Sequence, residues 1–368
     1  MKKLFNNDPI NKVNTNILHK TFRSSSSILV GIAAAFVLGS IMLLIQGENP
    51  LSVYYYLIIE QFKSPSGIIK IFGRSTPLIL TGLASAIAFK CNIFNIGVEG
   101  QLYVGALASA VVGISLTGIS PIIHILFCIL AGLVAGAAWA AVPALLKIKL
   151  KVHEVISTIM LNYIASNLIS MLVVNYFRSE GPAARTPTLS DSLRLYQFFP
   201  PEHLNVGFII AVTLCIAIYI VFQKTPFGWQ IDAVGKNMEA SRYSGINSNK
   251  IIMGVMLISG AVAGLCGVER VMGAYGYMEL GFSPGYGFDG IAIAIIGRKH
   301  PIGVLCIALL IGMLQNGGVN INIMTNVPYE WVQAVIAFMF IFVAAGDGFY
   351  KNGWNSFKQK LSKKTVMR

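Results

Sequence analysis

Ten apolar runs divide this chain, at roughly 26–46, 72–90, 101–119, 121–146, 154–176, 206–223, 251–273, 285–298, 301–322 and 329–346. Runs of about 20 apolar residues match a helix crossing the hydrocarbon core of a bilayer. Only helices and closed barrels satisfy their own backbone there. The expectation is therefore an all-α polytopic transmembrane bundle of about ten spans. The second and eighth runs are short or interrupted by glycine. Composition agrees, with 55% hydrophobic and only 12% charged residues, where a soluble chain carries about 25% charged.

The net charge of +13 is no nucleic-acid signal, because the basic residues sit in short segments between apolar runs. The first run, Ser24 to Gly47, is too long for a signal-peptide core and ends without a small-residue cleavage site. It reads as an uncleaved span preceded by Lys2, Lys3, Lys12, Lys20 and Arg23. The five cysteines, Cys91, Cys128, Cys215, Cys266 and Cys306, form no C-x-x-C pair, and most lie within apolar runs. They read as small buried hydrophobes, with neither a disulfide nor a metal site expected.

Orientation follows from Lys and Arg. With the N-terminus inside, the basic clusters before the first run, at Lys147–Lys151, Lys224–Lys250 and Arg298–Lys299, and after the last run all fall on the cytoplasmic side. Both termini are then cytoplasmic. The expected organisation is a cytoplasmic segment 1–25, a transmembrane domain 26–346, and a basic cytoplasmic tail 347–368. Within the domain lie a cytoplasmic loop 224–250 and an external loop 177–205. The external loop is balanced in charge and holds Pro182, Pro187, Pro200 and Pro201, as an ordered cap, a docking surface or a connector would.

Polar residues interrupt the apolar pattern at KCNIFNIGVEGQ, where Asn92, Asn95, Glu99 and Gln101 accompany Gly97 and Gly100. Polar groups at membrane depth line a cavity or pair internally, and close glycines permit a broken helix facing a pathway. The other reading is a cytoplasmic turn anchored by Glu99. HEVISTIMLNYIASN opens the fifth run, with Asn162 and Asn167 in apolar surroundings and His153 and Glu154 at its lip. Gly132/Gly136 and Gly260/Gly264 are small-xxx-small patterns for close helix approach. Gly285, Gly287 and Gly290 spell G-x-G-x-x-G, but no strand precedes them and no acidic residue follows about 20 positions on, so a dinucleotide site is rejected. There is no P-loop. Glu269 and Arg270, adjacent in sequence, are expected to project apart rather than to pair.

The loop FGWQIDAVGKNMEASRYSGI has the makings of a short capped helix. Asn237 is the N-cap, Met238 to Ser244 form about two turns, and Gly245 takes the left-handed position beyond. Glu239 and Arg242 suit the helix dipole. An ordinary solvated loop is the competing reading.

FNIGVEGQ, HEVISTIMLNYIA, AVGKNMEASRYSGI and GFDGIAIAIIGRKHPIG, in that order over about 25–350, resemble the nucleoside/simple-sugar permease branch of bacterial ABC importers, related to branched-chain amino acid and ribose permeases. The resemblance implies a non-catalytic permease subunit in the bacterial plasma membrane, importing nucleosides or a simple sugar such as ribose. It implies a second related permease, a cytoplasmic ABC ATPase and an extracytoplasmic substrate-binding lipoprotein. This chain would hold no cofactor or metal, with ATP and Mg on the ATPase. The segment around Gly235, Asn237, Glu239, Ala240, Arg242 and Gly245 would match the coupling helix that docks on the ATPase. A flat base and a hydroxyl-rich ribose call for aromatic faces and amides, for which Asn92, Phe94, Asn95, Glu99, Gln101 and Asn162 are the candidates. Two other classes stay open. An ion-coupled secondary transporter has only Glu99 and Asp289 to use. A membrane glycosyltransferase has only Asp191.

Overall fold

The computed structural model describes residues 28–346; the expected cytoplasmic segment 1–25 and the tail 347–368 lie outside them. Among the described residues the chain is helical. Nine helices are long and apolar enough to cross a membrane. They are α1 (Ile28–Ile45), α3 (Pro65–Lys90), α4 (Val98–Ser115), α5 (Pro121–Leu150), α6 (Glu154–Asn175), α7 (Val206–Lys224), α10 (Ser248–Tyr275), α12 (Pro301–Met324) and α13 (Tyr329–Gly346). Shorter helices are α2 (Pro50–Tyr54), α8 (Pro226–Lys236), α9 (Met238–Tyr243) and α11 (Tyr286–Ile296).

Two compact units result. In one, which includes α1, α2 and α13, Gly31 lies against Val343 and Gly39 against Trp331. Tyr54 packs edge-on to Phe36 at 5.3 Å, and its hydroxyl meets Ser40 Oγ at 3.0 Å.

The larger unit, Ile58–Gly317, is built around α3. Its apolar stretch is 89% buried, against 22% for α5, α6 and α7. The latter three therefore present long apolar faces outward, as lipid-facing helices do. α10 packs on α5 through the two glycine pairs, which form one interface: a Cβ on Gly136 would collide with the Gly260 carbonyl, and one on Gly264 with that of Gly132. Such contact lets the two backbones touch.

Three departures from the sequence reading stand out. α3 begins seven positions earlier than expected, at Pro65, with Ser64 Oγ accepting from the Gly67 N–H at 3.1 Å. Its first turns carry Ser66, Gly67 and Lys70, which lower the apolar average ahead of the run. The eighth expected span contains only an 11-residue helix, α11, about 16 Å long and too short to cross alone. Residues 276–285 precede it without regular structure, with Gly276, Gly281 and Gly285 at positive φ. This passage still runs end to end. Leu189 N–H bonds the Gly276 carbonyl at one end. At the other, His300 lies 5.5 Å from Tyr219, near the end of α7. Finally, α10 loosens into a π-helical turn over Glu269–Tyr275.

Loop 177–205 is an ordered cap. It is stitched to the end of α10 by Leu195 N–H to Met272 O (2.9 Å), and to the segment after it by Thr186 N–H to Met278 O (2.8 Å) and Arg185 over the Tyr277 ring at 4.6 Å. Leu189, Leu193 and Leu195 are buried beneath it. Asp191 is exposed and starts a single 3-10 turn. Four cysteines are buried and unbridged, as read; Cys306 is exposed, contrary to that reading.

Candidate functional site

The polar run after α3 is a break in the helix. Asn92 ends α3 at φ 58, a left-handed position that asparagine tolerates. Residues 93–97 then turn back into the bundle before α4 begins. The depth is set by Ser259, whose Oγ donates to the Ala84 carbonyl at 2.7 Å and accepts from Asn95 Nδ2 at 2.9 Å. Broken helices free backbone groups that need partners in a membrane. Here side chains supply them. Asn162 accepts from the Gly100 N–H and donates to the Ile96 carbonyl, both at 2.9 Å. Asn95 Oδ1 accepts from the Gly97 N–H at 3.1 Å. Asn95 and Gln101 also exchange two amide hydrogen bonds of 3.0 Å. Glu154, gripped by Lys147 at 2.6 Å, reaches the Phe94 N–H at 3.5 Å.

A second break meets the first. Glu99, only 8% exposed, accepts from the Gly287 N–H at 2.6 Å and contacts the Ser283 hydroxyl. The three glycines of the rejected dinucleotide pattern serve this junction. Gly285 precedes α11 at φ 106, Gly287 lies against Glu99 and Gly290 against Thr81. Asp289 in the first turn of α11 accepts from Gln315 at 3.1 Å.

Beneath the 177–205 cap lies a cavity of about 360 Å³, within the range of small-molecule sites. It is lined by Lys70, Gly73, Arg74, Pro201, Glu202, His203, Arg270, Tyr275 and Tyr286. Arg270 is buried and chelated by Glu269 through two bonds of 2.6 Å, with Asn205 donating to Glu269 at 2.9 Å. The expectation that these neighbours project apart is thus wrong. The wider π-helical turn and the long arginine side chain bring its guanidinium back onto the carboxylate. Burial, with the Arg270 charge, holds the His203 imidazole below its ordinary range. Rings connect the cavity to the break: His203–Tyr275 at 6.0 Å, Tyr275–Phe282 at 6.4 Å and Phe282–Tyr103 at 4.9 Å.

At the other end, α8 and α9 form the loop between α7 and α10. α9 is capped as read. Asn237 Oδ1 accepts from the Ala240 N–H at 3.0 Å, and Gly245 has φ 82. Ile246 N–H to Ser241 O and Gly245 N–H to Arg242 O, both 3.0 Å, complete a Schellman motif. Glu239 and Arg242 approach at 3.5 Å on the exposed face. α8 is fastened to the end of α3. Asp232 bridges Lys236 at 2.6 Å and Lys90 at 3.1 Å, and the Lys236 hydrogen bond holds its carboxyl below the usual range. Gly235 sits so close to the Lys90 carbonyl that any side chain would collide with it.

Residues 67–344 match the family described as the branched-chain amino acid transport system permease component. The chain belongs to that family. Three similar proteins are ABC transporter permeases by name. The guanosine permease protein NupP of Bacillus subtilis is 38% identical, covering 87% of this chain and 91% of that protein. The nucleoside permease protein NupB of Lactococcus lactis is 35% identical over 86% and 89%. The glucose permease protein TsgB13 of Haloferax volcanii is 33% identical over 86% of each. This permease is therefore a multi-pass membrane transport component, and the glycosyltransferase and ion-coupled readings are set aside.

Of the residues singled out from sequence, the permease brings Asn95, Glu99, Gln101 and Asn162 together with the broken backbone. Phe94 is 44% exposed and stacks on Phe89 at 5.0 Å. Asn92 is exposed at the turn. Gly235 to Gly245 form the α8–α9 pair. Sequence reasoning missed the cavity residues. The available signal was Glu269 and Arg270, two opposite charges inside an otherwise apolar run, where charge is costly unless paired.

Proposed function

We propose that this permease carries nucleosides across the bacterial plasma membrane as one subunit of an ATP-driven importer. The observation that carries the reading is the similarity, over nearly the whole chain, to relatives named for guanosine and nucleosides. The cavity supports it, because tyrosine faces beside hydrogen-bonding side chains suit a flat base with a hydroxyl-rich sugar. In this reading the substrate enters under the cap, passes the aromatic rings, and crosses where the two breaks meet. Asn95, Glu99, Gln101 and Asn162 hold that crossing in shape. Their polar atoms are engaged with each other and with backbone, so they serve as positioning groups, with Phe94 and Asn92 turned outward at its edge.

The partners are a second permease subunit, a cytoplasmic ABC ATPase and an extracytoplasmic lipoprotein that delivers substrate. ATP and Mg belong to the ATPase. The α8–α9 pair docks there, with Asn237, Glu239, Ala240 and Arg242 on the contact and Gly245 ending it. Because Asp232 and Gly235 fasten α8 to Lys90, motion of that pair reaches the base of the first break directly. The glucose relative favours a second reading, a simple-sugar permease.

Cells carrying this chain with its partner subunits should accumulate labelled guanosine or uridine and leave glucose and ribose outside. Tagged permease should co-purify with an ATPase. Accumulation of glucose or ribose without nucleosides would select the second reading, and purification without an ATPase would end both.

A further inference from the structure

The cavity under the cap has a chemistry narrower than that of nucleosides in general. Its cations are not equivalent. Lys70 is paired with Glu202 at 3.3 Å and Arg270 with Glu269 at 2.6 Å. Arg74, exposed into the cavity, has a neutral neighbour instead: its Nε donates to Asn316 Oδ1 at 3.3 Å, and Asn316 is fixed in turn by Gln61 at 2.8 Å. That leaves both Nη groups of Arg74 as a fork of donors on a held side chain. Tyr275 and Tyr286, also on the lining, flank the Arg270 guanidinium, each ring centre 5.9 Å from it. The cavity thus combines a donor fork with two aromatic faces.

We propose that this cavity is an entry site selective for 6-oxopurine nucleosides, with the base against Tyr275 and Tyr286 and Arg74 donating to its O6 and N7. The inference rests on the nucleoside reading above. A guanidinium fork matches the two adjacent acceptors of a 6-oxopurine. Adenine places an amino donor beside N7 and meets the fork donor to donor. Pyrimidines have no N7. The Glu202 carboxylate, another lining residue, accepts from ribose hydroxyls or from the base N1–H.

The test is competition for tritiated guanosine uptake in cells carrying the complete transporter, with unlabelled guanosine, inosine, adenosine, uridine and GMP as competitors. In the wild type, inosine should compete about tenfold better than adenosine. Arg74→Gln supplies the amide that pairs with adenine N6 and N7, so the inosine-to-adenosine ratio should swing toward adenosine by about tenfold. Tyr286→Leu should weaken all nucleosides alike and leave the ratio in place. Should Arg74→Gln fail to reach the membrane, Arg74→Lys keeps the charge, loses the fork and should also lose the preference. A ratio that is the same in the wild type and the Arg74 variants overturns the inference and leaves the nucleoside reading standing. So does GMP competing better than guanosine, which would make the cavity a phosphate site. A wild type that imports no nucleoside removes both.

Discussion

The Gly287 amide donates to Glu99 Oε2 at 2.6 Å, joining two chain breaks 188 positions apart. One carboxylate thus satisfies a helix N-terminus and sets the spacing between α4 and α11. Replacing Glu99 with Leu would leave the buried Gly287 N–H and the half-buried Ser283 hydroxyl without this partner, a cost of about 1–3 kcal/mol. Glu99→Gln keeps an acceptor oxygen and should lose far less. Thermal unfolding of the purified variants in detergent checks this; Leu melting at the wild-type temperature would refute the junction.

Glu269 and Arg270 behave as a buried pair. Removing one partner strands a charge, at about 3–5 kcal/mol, whereas replacing both with apolar groups is often nearly neutral. Arg270→Met should therefore lower the membrane level and thermal midpoint sharply. The double variant Glu269→Leu/Arg270→Met should recover most of that loss while transport stays impaired, because Arg270 also lines the cavity. A double variant no more stable than Arg270→Met would show that the pair is not the coupled unit described.

The short helix and its caps were legible because they depend on neighbours in sequence. Asn237, Gly245 and the charges between them carry their own geometry. The first break was legible for the same reason, since polar residues and glycines cluster between Lys90 and Gln101. What escaped depends on contacts distant along the chain or on irregular turns. Nothing local at Glu99 names Gly287 as its partner. The π-helical turn that folds Arg270 onto Glu269 has no signature in the apolar pattern. A hydropathy window also cuts off the first turns of α3 ahead of residue 72, and with them Lys70 on the cavity wall. The eighth run, 285–298, lies almost where α11 does, and its shortness and glycines already mark it as among the least regular of the ten.

Sidedness is open to direct measurement. The Lys/Arg distribution places loop 177–205 outside and loop 224–250 inside, and α7 alone separates them. Reporter fusions after Ser190 and after Lys250 should report opposite compartments, the second cytoplasmic. The same compartment for both would mean that α7 does not cross.

The α8–α9 pair should transmit force through α8, which buries Ile231 and Val234, while α9 stays largely at the surface. Gly245 sits in open space at φ 82, where a β-branched residue is strained by roughly 1–3 kcal/mol. Gly245→Val should therefore loosen the end of α9 while leaving the spans intact. Ala240→Glu adds bulk and charge beside Glu239 on the proposed ATPase contact. Gly235→Val acts differently, because its side chain would collide with the Lys90 carbonyl and push α8 off the end of α3. All three variants should reach the membrane. All should transport less, at most about a tenth of the wild-type rate for Gly235→Val if the lost docking amounts to roughly 1.4 kcal/mol. ATP hydrolysis by the purified complex should then run without its dependence on delivered substrate. Uptake at the wild-type rate with coupled hydrolysis in all three would make this loop a connector, and the route from α8 through Lys90 to the first break would have no mechanical role.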